Sequence, residues 1–122
     1  MAAPNLRNPT TITGKTARTS AGIGTTAVIG IVTNASSSGK VLKINSIFCA
    51  NIDGVNAANI SVSIYNGSTD SYLAKTITVP ADGTQVISNK ETYFYLEEGD
   101  SIRAEASAVD DLSIIVGYEE IS

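Results

Sequence analysis

The sequence predicts an all-β domain, an antiparallel two-sheet sandwich with a jelly roll as the favoured wiring. From residue 25 onward, short apolar or alternating runs are separated by turn residues every eight to twelve positions. This spacing is typical of β-sandwiches and barrels, and helical periodicity is nearly absent. With 122 residues the chain suits one domain and can bury a real hydrophobic core.

The first two strands of the predicted sandwich span residues 25–33 and 40–50. The segment between them, Asn-Ala-Ser-Ser-Ser-Gly at 34–39, has turn composition. We therefore expect these strands to form a hairpin. We also expect four residues of the second strand, spaced at period two, to share its core-facing side: Leu42, Ile44, Phe48 and Ala50.

Alternation of apolar and polar residues predicts the remaining strands. Ile60, Val62 and Ile64 alternate with polar side chains before the Asn-Gly turn at 66–67. Ile102, Ala104 and Ala106 are expected to face inward in the same way. The other predicted strands span residues 72–79, 85–87, 92–96 and 112–120. Seven or eight antiparallel strands are the number that a two-sheet sandwich uses.

Residues 1–24 differ in composition from the rest and predict an extended N-terminal arm, followed by a β-sandwich domain at 25–122. The segment is rich in Ala, Thr, Asn, Gly and Pro, and it contains no acidic residue. Pro4, Pro9 and Gly14 interrupt any long regular element. We expect this arm not to fold on its own.

Charge is distributed unevenly along the chain. The net charge is −4, but the first 20 residues carry +3, which leaves −7 on the remainder. An acidic body would repel nucleic acid, whereas a basic arm could dock on an acidic protein neighbour. On charge alone, a solvated and flexible arm is an equal alternative. The candidate partner-binding residues of the arm are Arg7, Thr11, Ile12, Lys15 and Arg18.

The residue inventory argues against catalysis and against a bound cofactor. The chain has no histidine and one cysteine, Cys49, so a Ser-His-Asp or Cys-His arrangement cannot be assembled. Cys49 lies in an apolar run, where a thiol usually packs as a small hydrophobic group. No run approaches the about 18 apolar residues of a membrane-spanning helix. We expect a non-enzymatic protein that does not contact membranes.

Two features allow more than one interpretation. Glu97, Glu98 and Asp100 form an acidic turn that could hold calcium, although such turns more often serve solubility and edge protection. Tyr93 and Tyr95 alternate with Phe94 and could present two rings on an outer face. We interpret the tyrosines as an interface between protein subunits, with a sugar-binding platform as the alternative. For the acidic residues, a pair of carboxylates that hydrolyses glycosides is a further alternative.

Several short sequence segments resemble segments of small virion structural proteins from tailed phages of marine cyanobacteria and other marine bacteria. Near the start these are Met-Ala-Ala-Pro-Asn at 1–5 and Thr-Ile-Thr-Gly-Lys-Thr at 11–16. In the last third they are Tyr-Leu-Glu-Glu-Gly-Asp-Ser-Ile at 95–102, Ala-Glu-Ala-Ser-Ala at 104–108 and Tyr-Glu-Glu at 118–120. None of these segments is a motif of a biochemical activity.

The resemblance implies a structural role on the phage particle and no catalytic residue. Such proteins decorate or cement the capsid, or lie at the neck, tail or fibres. It suggests that the arm docks on the major capsid protein or another virion protein, and that the body self-associates, with a trimer favoured. A module that binds host glycans is the more distant alternative.

Overall fold

The computed structural model describes residues 4–19 and 22–122. The described residues contain strands and one short 3-10 turn, at Lys90–Thr92, and none of their helices is long and apolar enough to cross a membrane. The strands are β1 (Ile12–Arg18), β2 (Ile29–Thr33), β3 (Val41–Asn51), β4 (Ala58–Tyr65), β5 (Asp70–Val79), β6 (Thr84–Ser88), β7 (Phe94–Leu96), β8 (Ser101–Ala106) and β9 (Leu112–Ile121).

The strands form two antiparallel sheets that face each other. The five-stranded sheet has the order β1-β9-β3-β6, and β7 pairs with β3. The four-stranded sheet has the order β2-β8-β4-β5. β6 and β7 pair with different stretches of β3 and together occupy one position beside it. The wiring is that of a jelly roll, with two interlocked Greek keys, which confirms the predicted fold class.

The hydrophobic core fills the space between the sheets. Ile60, Val62, Ile102, Ala104 and Ala106 are all buried in it, as the alternation in β4 and β8 predicts. Each fully buried isoleucine or valine stabilises the fold by about 1.5–3 kcal/mol relative to an exposed one. Alternation at period two therefore places a continuous apolar layer against each sheet.

The predicted hairpin between the first two sandwich strands is wrong. β2 pairs with β8 in one sheet, whereas β3 pairs with β9 in the other. The turn between them crosses from sheet to sheet and is held by the buried Asn34. Its Nδ2 donates to the carbonyl oxygens of Lys40 at 2.9 Å and Leu96 at 3.1 Å. Turn composition indicates that the chain reverses, but not which sheet the next strand joins.

The predicted inner face of β3 is correct only for its first half. Leu42 and Ile44 are buried, but a β-bulge between Ile44 and Ser46 adds one residue to the strand. Because a shift by one residue moves every later side chain to the opposite face, Ile47 and Cys49 become the buried residues. Phe48 then faces outward, and Ala50 follows the same alternation, contrary to the prediction.

The predicted boundary at residue 24 also needs correction. Seven residues of the predicted arm form β1, which pairs with β9 along its whole length, and Ile23 lies in the core. Within β1 only Ala17 is partly buried, so the segment has the composition of exposed chain although it is a strand. Residues 1–3, 20 and 21 of the predicted arm lie outside the described residues.

Candidate interaction surface

An apolar row crosses the outer face of the five-stranded sheet. Ile115 of β9, Phe48 of β3 and Val86 of β6 are register partners on adjacent strands. Their exposed fractions are 41%, 38% and 46%. The residues one position away, Ile114 and Cys49, are buried in the core. The row is therefore a property of the outer face and not a poorly packed part of the interior.

A second row on the same face contains the predicted tyrosine pair. Tyr95 of β7 lies opposite Lys43 of β3, which lies opposite Glu119 of β9. The Tyr93 ring contacts the Tyr95 ring edge-to-face, with ring centroids 5.9 Å apart. The Lys43 Nζ lies 4.4 Å from the centroid of the Tyr93 ring. Both tyrosines are exposed, as the alternation with the core-packed Phe94 predicts.

Between the two rows the face is low. Gly117 of β9 is the register partner of Ser46 in β3, and a Cβ added to Gly117 would lie 3.0 Å from the Ser46 Oγ. Small residues at this position leave no side chain that projects above the sheet. The outer face is thus a shallow surface with an apolar row at one end and a mixed aromatic and charged row at the other.

One basic residue of the predicted arm, Lys15, pairs with a carboxylate of the chain's own C-terminal strand, as does Lys40 from outside the arm. The Lys15 Nζ lies 3.1 Å from Glu120 Oε2, and the Lys40 Nζ lies 2.7 Å from Glu120 Oε1. Hydrogen bonds from Lys40 and Lys15 hold the pKa of Glu120 below its ordinary value. The sequence predicted an acidic protein partner for the arm, but the acidic group that Lys15 contacts is Glu120 of its own chain.

The other candidate residues of the arm lie along the same edge or before it. The backbone N–H of Thr11 donates to the Ser122 carbonyl oxygen at 3.1 Å. Ile12 lies opposite Ile121 and is exposed, and Arg18 lies opposite Ile115, at the end of the apolar row. Arg7 precedes β1, and its backbone N–H donates to Asn5 Oδ1 at 3.0 Å. The structure thus brings four of the five candidates to one sheet edge.

The outer face of the four-stranded sheet is polar, with Arg103 at its centre. The Arg103 Nε lies 3.6 Å from Asp70 Oδ1, and its Cζ lies 4.0 Å from the centroid of the Tyr65 ring. The Ser63 hydroxyl donates to Asp70 Oδ1 at 2.8 Å. Each charged group on this part of the face has a partner within the chain.

The carboxylates of the acidic turn accept backbone hydrogen bonds, one from within the turn and one from the turn that ends at Gly39. The backbone N–H of Glu97 donates to Asp100 Oδ2 at 3.2 Å, and that of Gly39 donates to Glu98 Oε2 at 3.3 Å. No group of three or more potential metal ligands is found among residues 4–19 and 22–122. The calcium alternative gains no support from this geometry.

Cys49 packs as the sequence predicts. The residue is fully buried in the core, and burial raises the pKa of its thiol to about 11. A thiol with this pKa carries little thiolate at neutral pH, and the thiolate is the nucleophilic form.

Sequence reasoning missed the apolar row. Phe48 was predicted to face the core, and the alternating strands carrying Val86 and Ile115 gave no reason to single these residues out. The sequence did contain one signal. Each of the three residues lies next to a core residue in its strand, so alternation places it on the outer face once the register of that strand is known.

No protein-family model matches the chain, and no curated protein is similar to it at a significant level. Among solved structures, the chain is similar to the Eiger TNF protein of S. frugiperda, with a TM-score of 0.37 and 10% sequence identity. The alignment covers 94% of this chain and 93% of that one. A likeness at this level carries no argument about what the chain does.

Proposed function

We propose that this chain is a non-enzymatic structural protein of a phage particle, a capsid decoration or cement protein that self-associates through the outer face of the five-stranded sheet. The observation that carries the proposal is the exposed apolar row of Ile115, Phe48 and Val86 on the same face as Tyr93 and Tyr95. Large exposed apolar patches bordered by polar residues mark interaction sites, and aromatic residues are enriched at protein interfaces. The resemblance of both ends of the sequence to marine phage virion proteins supports a place on a phage particle.

The shape and charge of this face suit a second copy of the same chain. The small residues Gly117 and Ser46 let a neighbouring copy approach the sheet closely. Lys43 and Glu119 carry opposite charges on the same face, so each can meet its counterpart on a neighbouring copy. Closed symmetry keeps such an assembly finite, and we favour a trimer.

The N-terminal segment supplies the contact with the capsid. β1 is the outermost strand of its sheet and is exposed along nearly its whole length. An outermost strand presents unpaired backbone groups, and a neighbouring chain can extend the sheet by pairing with them. The exposed Ile12 and the basic Arg7 and Arg18 supply side chains for that contact with the major capsid protein.

The first experiment is the copy number of this chain in purified phage particles, measured by quantitative mass spectrometry against the major capsid protein. A simple fraction of the capsid copy number is expected for a protein that decorates the shell. About a dozen copies or fewer would move the chain to the neck, tail or fibres, where rings of low symmetry occur. Absence from the particle would contradict the structural role.

The second experiment removes residues 2–18 and keeps Ile23. The body should remain folded because Ala17 is the one β1 residue that packs against the core, and circular dichroism checks this. Binding to particles that lack the protein should be lost. A shortened chain that still binds the particle with unchanged affinity would rule out the N-terminal segment as the contact.

A further inference from the structure

A polar trough runs across the outer face of the four-stranded sheet, on the opposite side of the molecule from the apolar row. Its larger end is an open depression of about 240 Å³ that takes side chains from the segment before β2, from β4, from β5 and from the end of β8. The lining residues that carry polar side chains are Thr26, Asn59, Ser61, Thr76, Glu105 and Ser107. The trough continues past Ser61 and Glu105 to Tyr72 and Arg103.

Three of these side chains keep hydrogen-bond donors for a ligand. The Ser107 Oγ accepts from the Asn59 backbone N–H at 2.8 Å, and the Ser61 Oγ accepts from the Thr76 N–H at 2.9 Å. Each hydroxyl therefore retains its hydrogen. The Asn59 Oδ1 accepts from the Thr78 hydroxyl at 2.9 Å, which orients the amide and leaves both N–H donors of Nδ2 for a ligand.

Glu105 supplies the acceptor and sets the charge of the trough. It lies opposite Ser61, is exposed, and forms no ion pair with any residue in the described ranges. Arg103, two residues before it, is already paired with Asp70. The negative charge of Glu105 is thus uncompensated and disfavours phosphate or carboxylate ligands. A single carboxylate is also too few for a hard cation, which takes six or more oxygen ligands.

The wall formed by β5 has an unusual backbone. Lys75 and Thr76 both oppose Ser61, so β5 contains a bulge at this point. Thr76 has φ 53°, in the left-handed region that β-branched residues rarely adopt. The bulge brings the Thr76 N–H to the Ser61 hydroxyl and places Thr76 at the depression. Backbone outliers of this kind concentrate at binding sites.

From this arrangement we infer that the trough binds a neutral saccharide, with one sugar unit in the depression. Sugar hydroxyls both donate and accept, so they match three donor side chains beside one carboxylate. The depression is smaller than the about 300–1,000 Å³ of sites for drug-sized ligands, which suits one ring. Tyr72, 49% exposed, lies at the other end of the trough, where the Lys75 Nζ lies 4.3 Å from the centroid of its ring. The inference does not rest on the proposed function.

This location differs from the one that sequence alone suggested for a sugar. The tyrosine pair at 93 and 95 lies on the opposite outer face, beside Lys43 of β3. The groups of the trough come from β4, β5, β8 and the segment before β2, which are distant in sequence, and only the sheet order brings them together.

The test is a ¹⁵N–¹H correlation titration of the full chain with glucose, galactose, N-acetylglucosamine and their β- or α-linked disaccharides. Saturable shifts are expected at the amides of Ser61, Thr76, Glu105 and Ser107. Glu105→Ala should weaken the affinity about tenfold, since a hydrogen bond to a charged group is lost. Glu119→Ala removes the same charge from the opposite face and should leave the affinity unchanged.

Three results would overturn the inference. They are the absence of saturable shifts with every saccharide of the panel, shifts centred on Tyr93 and Tyr95, and equal affinity of the wild type and the Glu105→Ala variant. Because Glu105 is exposed, its replacement leaves the core intact, and the unperturbed part of the spectrum verifies the fold. A chain that binds no sugar but is present in many copies on the particle would leave the proposed function standing.

Discussion

The two outer faces of the sandwich follow the same alternation but differ in how completely their side chains are satisfied. On the four-stranded sheet, Arg103 forms an ion pair with Asp70 and a cation–π contact with Tyr65 of the same chain. On the five-stranded sheet, Phe48 and Ile115 lie side by side and remain exposed. The central ion pair of one face is closed within the chain, and the other face leaves apolar surface in water. This difference is why we propose association at the five-stranded sheet and a polar ligand at the four-stranded sheet.

A β-bulge shapes each face. In β3 the bulge before Ser46 turns Phe48 outward. In β5 the bulge at Thr76 bends an outer strand and helps to build the trough. Bulges redirect side chains and increase local twist. The register irregularities of β3 and β5 therefore decide which side chains each face presents.

The largest effect is expected for Phe48→Asp, which places a charge in the middle of the apolar row. The dissociation constant for self-association should rise by at least about 30-fold, the equivalent of about 2 kcal/mol for a central interface residue. Sedimentation equilibrium measures it. Tyr72→Asp is the matched control on the other face and should leave association unchanged. Equal loss with both variants would show that charge in general, and not this face, controls association.

The next largest effect is expected for Arg103→Ala, which removes the guanidinium group at the centre of the polar face. The free energy of unfolding should fall by about 1–2 kcal/mol, because a partly buried ion pair and a cation–π contact are both lost. Urea denaturation measures the change. Lys43→Ala removes the cation–π contact with Tyr93 on the other face and should cost about 0.5 kcal/mol or less at this exposed site. Equal costs would mean that the two faces are satisfied to the same extent.

Thr76→Gly should stabilise the isolated protein. Glycine adopts the left-handed conformation without the steric cost that a β-branched side chain carries there, so the free energy of unfolding should rise by about 1 kcal/mol. Thr78→Gly, two residues along the same strand, should lower it by about 1–2 kcal/mol, because the hydrogen bond from the Thr78 hydroxyl to Asn59 is lost as well. Thermal denaturation of both variants separates relief of strain from the general effect of glycine in a strand. A destabilised Thr76→Gly protein would contradict the strained backbone at this position.

The smallest effect is the pH dependence of the β1 edge. Lys40 and Lys15 lower the pKa of Glu120 in the folded protein. Glu120 therefore contributes fully to the free energy of unfolding above the ordinary glutamate pKa of 4.5, and this contribution is lost as pH falls through the lower folded pKa. Glu120→Gln should flatten this acid limb of the stability curve. Glu119→Gln, with the same loss of formal charge, should retain it. Identical curves for both variants would remove Glu120 as the cause.

The parts of the fold that sequence predicted are those that depend on local pattern. Alternation in β4 and β8 is a property of neighbouring residues, so the inward direction of Ile60 and Ile102 could be read directly. The outward direction of Tyr95 followed from the same rule. The predicted burial of Phe48 failed because the bulge at Asn45 has no local signature: a polar residue there is also compatible with a regular strand.

Long-range pairing set the limit of the sequence analysis. The contact of Lys15 with Glu120 joins residues 105 positions apart, and the partner of β2 is β8 rather than the adjacent β3. β1 was taken for an arm because an exposed outermost strand buries almost no side chain and therefore carries no hydrophobic periodicity. The trough could not be predicted for the same reason, since four separate segments form it.

The way in which β1 is attached also sets its mechanical behaviour. β1 runs antiparallel to β9, and its first residue, Ile12, pairs with Ile121 at the end of the ladder. A force that peels the chain away before Ile12 would break the hydrogen bonds of the ladder one after another, and not all at once. The seven residues would release at roughly 3.3 Å each, about 23 Å in total. A shell anchored through this segment would thus have a tether that lengthens under strain while the jelly-roll body keeps its core.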